Sequence, residues 1–436
     1  MAMHALALEA KYPISFRKED VKKLAEYLKN RNSVVLIGMK RVGINNFLRF
    51  FLNNKAVKAN FTGNQKNNLF ITVDLNDLVE RELYPFWTLT LKRISDAIED
   101  SSLDLKVKED IEDLFTNSIQ SQDLFLTIDN IRKALVILTK NGILPTIFFV
   151  RFDRLKDVIT YEFFSNLQGL KDATSKKLAY VFTSVRSLDE LVPSVFKKQL
   201  MSPFALSLYI KPTKPEDTKI VAKTYKERYS LKFKSKVESF LFEIVDGYNQ
   251  YLQLALISLN EKEEKDFKSI AELFSYLSKD ERILLQSEEL WESLTDTEKN
   301  VLLKIINGEK VKDSDKKESS YLWDTGFLKG ETRKQILFSS LFETYIIENH
   351  KKKEEGAQVE FTKKENSLFN LLKDSINQIC EREKIIEGVW PEVEELGVSD
   401  WAIDRLVARV RTKLKAKKSK YEIQTIKTRG YKLILT

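Results

Sequence analysis

The sequence predicts a multidomain chain, α/β in its first half and α+β at its carboxyl end. Three observations carry this. Short apolar runs alternate with amphipathic stretches up to about residue 212. The strand signal stops near Lys214. A basic helical stretch followed by two short alternating runs then closes the chain. A length of 436 residues suits two to four domains at roughly 100–200 residues each.

The elements follow in order. Val34–Ile37, Leu69–Val73, Thr146–Val150, Leu178–Thr183 and Ala205–Ile210 read as strands, with helical stretches at Asn45–Leu52, Pro85–Ile98 and Tyr161–Leu170 between them. Such alternation argues for a parallel sheet covered on both faces. Glu216–Tyr229, Lys234–Val245 and Gln250–Leu259 read as the helices of a further subdomain. Two later segments open alike, at Thr295 with Glu298 and at Thr362 with Glu365, each before an apolar run. A threonine with a glutamate three residues on can form a reciprocal cap, so each pair opens a helix. Between them HKKKEEG, residues 350–356, reads as a charged linker, because Gly356 and the new cap at Thr362 argue against one continuous helix.

Composition excludes several classes. One cysteine, Cys380, leaves no intramolecular disulfide and no cysteine-cluster metal site. Two histidines, His4 and His350, have no ligand-like neighbours, so neither a histidine zinc site nor a Ser-His-Asp or Cys-His centre is expected. No apolar run approaches the roughly 18–20 residues that span a bilayer. The first ten residues lack a charged n-region, and a cytoplasmic protein without membrane contact is expected. From Trp401 to Thr436 eleven basic residues face two acidic ones, a net of +9 against +8 for the whole chain. The cationic surface is therefore concentrated at the carboxyl end, as a phosphate backbone requires.

That end is the most informative part. Ser399 and Asp400 suit the start of a helix that runs to about Lys415. Ile403, Leu406, Val407, Val410 and Leu414 share one narrow arc, its buried face. The opposite face carries Trp401, Arg405, Ala408 and Thr412, flanked by Arg409 and Lys415, groups suited to base edges and phosphates. Tyr421–Thr425 and the run from Ile426 to Leu433 read as a β-hairpin with a basic tip. Phe361-Thr-x-x-Glu365, Glu387-Gly-Val-Trp390, Val398-Ser-Asp400, Val407-x-Arg-Val-Arg-x-Lys-Leu414 and Thr428-Arg-Gly-Tyr-Lys-Leu433 occur in that order. The region from Val359 to Leu435 thereby resembles the OmpR/PhoB-type winged-helix DNA-binding domains. The resemblance implies a third helix in the major groove and a wing in the adjacent minor groove. It places Trp401, Arg405, Arg409 and Thr412 at the DNA with Arg429 on the wing, and Ala408, Lys415, Lys427 and Thr428 complete the expected surface. The family's reader is usually governed by a phosphorylated receiver, and no receiver is seen in this sequence. The bland counterpart is a winged helix that only contacts protein. The DNA reading requires outward guanidinium groups. Arginines packed inward against a neighbouring module would remove it.

At the amino end, strand Val34–Ile37 runs into Gly38-Met-Lys-Arg-Val-Gly43-Ile-Asn45 and then a helix. A phosphate-binding loop places Gly-x4-Gly-Lys-Ser/Thr here: backbone N–H groups surround phosphates, the lysine neutralises them and the hydroxyl ligates magnesium. The glycine spacing is right, but Ile44 stands at the lysine position and Asn45 at the hydroxyl position. The next expected acids fall on Val150 and Arg151, just before Phe-Asp153-Arg-Leu155. Val181-Phe-Thr-Ser-Val-Arg186, Asp246-Gly-Tyr-Asn-Gln-Tyr-Leu-Gln-Leu254, Tyr321-Leu-Trp-Asp-Thr-Gly-Phe-Leu328 and Leu337-Phe-Ser-Ser-Leu-Phe342 follow in order. From about Tyr12 to His350 the chain thus resembles the AAA+-related signal-transduction ATPases with numerous domains, the STAND group. That resemblance implies a polar sensor and arginine after the fourth strand, a lid motif in which Asn249 replaces proline, and a winged-helix arm.

The expected division is a degenerate AAA+/STAND-like P-loop α/β domain at 1–212, a helical lid at 213–285, a winged-helix arm at 286–350, a linker at 351–358 and the OmpR/PhoB-type winged helix at 359–436. The fold is then a P-loop NTPase-like parallel sheet with a helical lid, followed by two winged-helix domains. No catalytic residue, metal or required cofactor is expected. ATP or ADP at the altered loop would rest on Gly38, Lys40, Arg41, Gly43, Asn45 and Asn46, although Asn46, Asp153 and Arg186 equally suit capping, turn and salt-bridge roles. The expected function is a DNA-binding transcriptional regulator reading duplex DNA, with a homo-oligomer, effector or protein partner as input. Two alternatives stand beside it: an active nucleotide switch of defence or replication-initiator type, and a non-enzymatic interaction scaffold.

Overall fold

The computed structural model describes residues 8–61, 67–99, 101–196, 204–228, 231, 235–261, 267–330, 335–354, 361–391, 400–426 and 429–435. These form two compact units. One comprises Met1–Leu277 with Asp296–Ser340, the other Ser278–Thr295 with Leu341–Thr436.

In the first unit β1 (Val34–Ile37), β2 (Asn68–Asp74), β3 (Leu144–Val150), β4 (Ala179–Ser184) and β5 (Leu206–Tyr209) build one sheet in the order β2-β3-β4-β1-β5. Every pairing in it is parallel. β1 and β4 are buried along their whole length, which is why they read as unbroken apolar runs. The helix α1 (Ile44–Asn53) follows β1 directly across the glycine-containing loop. This is the P-loop NTPase-like arrangement, and it gathers the loops after β1, β3 and β4 at the carboxyl ends of the strands, where such sheets place their crevice. Between β2 and β3 the helices Leu105–Ser121 and Leu124–Lys140 join Leu83–Ile98. Only the last is expected from the sequence. Leu105–Ser121 escapes a pattern search because just Ile111 and Ser118 on it are buried. Pro215–Arg228, Ser235–Val245, Asn249–Glu261 and Ile270–Leu277 form the helical part that follows. Asp296–Ile306, Asp313–Glu318 and Tyr321–Asp324 then precede an antiparallel ladder of β6 (Leu328–Lys329) and β7 (Ile336–Leu337). Phe338 after that ladder packs on Tyr248, Tyr251 and Phe327.

The second unit holds α2 (Glu281–Glu292), α3 (Lys363–Asp374), β8 (Ile379–Glu381), α4 (Arg382–Val389), α5 (Asp400–Ala416), β9 (Tyr421–Ile426) and β10 (Gly430–Leu435). The strands pair antiparallel in the order β8-β10-β9, giving a winged helix. The reciprocal cap at its start is present: Glu365 N–H donates to Thr362 Oγ1 at 3.4 Å and Thr362 N–H to Glu365 Oε2 at 2.7 Å. Gly430 sits at φ +151° with its α-carbon so close to β8 that a Cβ would lie 2.1 Å from the Cys380 carbonyl oxygen, so glycine is required there.

Two features differ from the sequence reading. The helix Ser340–Glu354 runs through His350 and onward to Glu354, residues read as linker from their charge. Lys and Glu are good helix formers, so a charge run does not by itself mark a linker. Residues 355–358 of that expected linker lie outside the described residues. Ser278–Thr295, divided in the sequence reading between lid and arm, clusters with the carboxyl-terminal unit.

Candidate nucleic-acid interface

The orientation of α5 follows from its apolar arc. Ile403, Leu406, Val407, Val410 and Leu414 are all buried, against Leu368, Leu372, Ile385, Tyr431 and Leu433. Other cations on α5 serve the fold. Arg411 donates to the Ile423 carbonyl and to Thr425 Oγ1, both at 2.8 Å, tying the helix to β9. Lys413 reaches the buried Glu365 carboxylate of the cap at 2.6 Å. Tyr431 on β10 donates its hydroxyl to Asp404 and receives Arg382 Nη2 at 3.1 Å. Burial first, then the Asp404 carboxylate, push that hydroxyl well above its usual range, keeping it a donor.

The face away from this core carries the expected DNA-contacting residues. Thr412 and Lys415 are exposed, Arg405, Ala408 and Arg409 half-buried, and Arg429 is exposed at the hairpin. The Trp401 side chain, Lys427 and Thr428 lie outside the described residues, as does Ser399.

Arg405 and Arg409 turn away from the apolar arc, as their spacing requires, but they meet carboxylates rather than solvent. Arg405 Nε donates to Glu288 Oε1 at 2.8 Å, and its Nη2 lies 3.5 Å from Glu292 Oε1. Arg409 Nε donates to the same Glu288 oxygen at 3.2 Å, and its Nη2 contacts Glu288 Oε2. The Glu288 side chain is 7% exposed, whereas those of Arg405 and Arg409 are 34% and 31% exposed. Burial pulls the Arg409 guanidinium below its ordinary pKa, and the Glu281 charge opposes that shift. Leu285 packs against the winged-helix core, and Lys364 Nζ lies 4.0 Å from Glu281 Oε2. The carboxylates that face α5 were missed in the sequence. The signal for them was present: Glu281, Leu285, Glu288 and Glu292 recur at four- and three-residue steps on one face of α2.

The loop after β1 is built differently. Met39 and Val42 are buried within it, Lys40 is half-buried and Arg41 exposed. Tyr248 donates its hydroxyl to the Lys40 carbonyl at 2.6 Å. Gly43 lies at φ +109°, and a Cβ there would meet Asn249 Nδ2 at 2.1 Å. Asn249 is 4% exposed, and among the described residues neither its amide nitrogen nor its amide oxygen has a hydrogen-bond partner. The residues that follow Asp246 and Gly247 thus lie directly over the glycine loop. Ile44, Asn45 and Asn46 are half-buried, Asn46 at the Tyr12 hydroxyl.

At the end of β3, Val150 is buried and Arg151 adopts φ +61°. Its N–H donates to Thr183 Oγ1 at 2.7 Å, and its guanidinium pairs with Asp74 at the end of β2. The position expected to hold an acid therefore carries an ion-paired cation. Burial raises the Asp153 pKa, opposed by the charges of Lys40, Arg154 and Arg151. After β4, Arg186 makes a two-pronged pair with Glu298 at 2.6 and 2.7 Å and lies 3.7 Å from the Tyr321 ring centre. Of the roles open to it, Arg186 is engaged in a salt bridge. Among the described residues no group of three or more His, Cys, Asp or Glu could hold a metal ion, and no helix is long and apolar enough to cross a membrane.

Among curated proteins none matches the chain. The chain is similar in structure to the Walker-type ATPase PABY2304 of Pyrococcus abyssi, at 16% identity and TM-score 0.48, covering 76% of this chain and 95% of that one. It is also similar to the Aeropyrum pernix ORC2 protein solved with ADPNP and ADP, at 12% identity and TM-score 0.47, covering 78% and 96%. The Aeropyrum pernix ORC1 protein solved in complex with DNA matches at 14% identity and TM-score 0.39, covering 80% and 96%. Residues 356–433 match the family described as "Transcriptional regulatory protein, C terminal". The chain therefore ends in a transcriptional-regulator-type, DNA-binding winged helix that follows a P-loop NTPase-like sheet.

Proposed function

We infer that the protein is a DNA-binding transcriptional regulator in which the carboxyl-terminal winged helix reads duplex DNA under control of a STAND-like module that does not turn over ATP. The observation that carries this is the division of labour on α5. One arc anchors the helix, Arg411 and Lys413 brace it, and Arg405, Arg409, Thr412 and Lys415 occupy the remaining face, with Arg429 on the wing. Arg405 and Arg409 pair with carboxylates, are about one-third exposed, and lie opposite the apolar core. Glu288 and Glu292 fall in the stretch that the sequence reading gave to the neighbouring arm, so the condition set against the DNA reading is met in part, and the reading holds only where DNA gains access to these two arginines.

The residues at the altered loop do not fit a magnesium-bound nucleotide. Ile44 offers no ammonium and Asn45 no hydroxyl, and Arg151 pairs with Asp74 where an acid would polarise water. Asn249 and Tyr248 cover the loop. The module then acts by shape, through an effector or a second copy of the chain.

Two measurements test this. Fragments selected from genomic DNA should bind more tightly than random duplex, with the preference retained across a salt titration. Equal affinity for both sequences at every salt concentration would remove transcriptional control. ATP turnover of the purified chain, with and without DNA, should be absent, and sustained turnover would favour the nucleotide-switch reading.

A further inference from the structure

We propose that α2 is a built-in mask of the DNA-reading face, its Glu288 and Glu292 carboxylates holding the guanidinium groups of Arg405 and Arg409 that DNA would otherwise take. This rests on the DNA-binding reading above. Arg405 and Arg409 are four residues apart on α5, and Glu288 and Glu292 four apart on α2, so each pair lies along one helix face. Glu288 accepts from both arginines and Glu292 lies beside Arg405. A carboxylate and a phosphate offer a guanidinium the same geometry, charged oxygens that accept paired N–H donors. Two acceptors cannot occupy the same Nε/Nη2 edge, so a phosphate or base approaching Arg405 and Arg409 from that edge competes with α2.

Two further features favour a mask over a fixed strut. Glu288 is buried while the side chains of its two partners remain about one-third exposed, so solvent reaches both arginines while α2 is in place. Leu285 on the core and Lys364 beside Glu281 also join α2 to the winged helix, and Ile283, Leu290 and Trp291 of α2 are buried as well, so the carboxylates are the exchangeable part of its attachment and not the whole of it. Both ends of α2 are also continuous in the chain with the amino-terminal unit, since Leu277 precedes its segment and Asp296 follows it. A rearrangement of the lid or arm would thus pull directly on the mask, giving the module a mechanical route to the reader that needs no receiver.

The test uses the full chain and a labelled random-sequence duplex at low salt. Glu288→Gln/Glu292→Gln keeps side-chain shape and removes the competing charge. It should bind on the order of tenfold more tightly than the parent. Adding Arg405→Ala/Arg409→Ala should abolish the gain. A second measurement needs no substitution: saturating DNA should increase amide exchange in residues 281–292 of the parent. Equal affinity of parent and glutamine variant, or unchanged or slower exchange in 281–292 with DNA bound, overturns the mask and leaves the DNA reading intact. No binding by any form overturns the DNA reading and the mask together. If the glutamine variant does not fold, the exchange measurement decides alone.

Discussion

Arg186 in the amino-terminal unit and Arg409 in the carboxyl-terminal unit each pair with a glutamate, yet the two pairs differ in kind. Arg186 is 15% exposed, grips a 4% exposed Glu298 with two hydrogen bonds and stacks on Tyr321. Arg409 is 31% exposed and shares Glu288 with Arg405. Water exclusion decides the consequence. Both glutamates are buried, Glu298 at 4% and Glu288 at 7% exposure, so the difference lies in the arginines. Arg186 is largely withdrawn from water and is the one arginine on its glutamate in these pairs, whereas Arg409 reaches water on one side and shares Glu288 with Arg405. The arginine expected at a nucleotide sensor is held in a salt bridge, and the arginines expected at DNA are paired as well but remain about one-third exposed. The same contrast separates the covering of the two sites. The glycine loop is closed by neutral groups that fit its shape, Tyr248 and Asn249, while the α5 arginines are covered by charges that resemble their expected ligand.

The comparison breaks most visibly at Arg186. Arg186→Ala should cost about 3–5 kcal/mol in urea unfolding of the amino-terminal unit, because Glu298 is left buried and unpaired. A cost near zero would make it an ordinary surface pair. Leu406→Ala should destabilise the winged helix by about 2–5 kcal/mol through the cavity it leaves, and should impair DNA binding only in proportion to unfolding. Gly43→Ala should lower the melting temperature of the amino-terminal unit, since the left-handed backbone and the Asn249 amide both oppose a Cβ, at a cost of about 1 kcal/mol or more. Pairing it with Asn249→Ala should recover part of that loss. For the same reason, ATP-turnover comparisons at Gly43 need a folding control. Arg409→Ala should change stability least, by about 1 kcal/mol or less, since Arg405 still holds Glu288. It should nonetheless weaken DNA binding and lower the salt slope by about one contact. A stability loss matching that of Arg186→Ala would show that the two pairs are alike.

Several features were legible in the chain itself. The inner strands β1, β3 and β4 appear as apolar runs because they are buried on both faces, whereas the edge strands β2 and β5 are only partly buried, and the α5 arc appears because one helix face must be anchored. The Thr362–Glu365 cap and the lack of phosphate-binding chemistry at Ile44 and Asn45 are local facts of the same sort. Other features were not legible. β8 spans only Ile379–Glu381 and exists through its pairing with β10, so no alternation announces it. The charged run after Ser340 continues a helix to Glu354, since charge alone does not separate helix from linker.

Local periodicity and side-chain chemistry therefore determined the inner sheet strands, the apolar face of α5 and which groups could meet phosphate, but not β8 or the helix Leu105–Ser121. Only the tertiary structure decided which charges meet one another. Glu288 and Arg405 are 117 residues apart, Glu298 and Arg186 112 apart, and no local pattern encodes such a partner. A charged side chain is satisfied by any opposite charge that the fold brings within reach, so its partner is set by packing and desolvation in three dimensions.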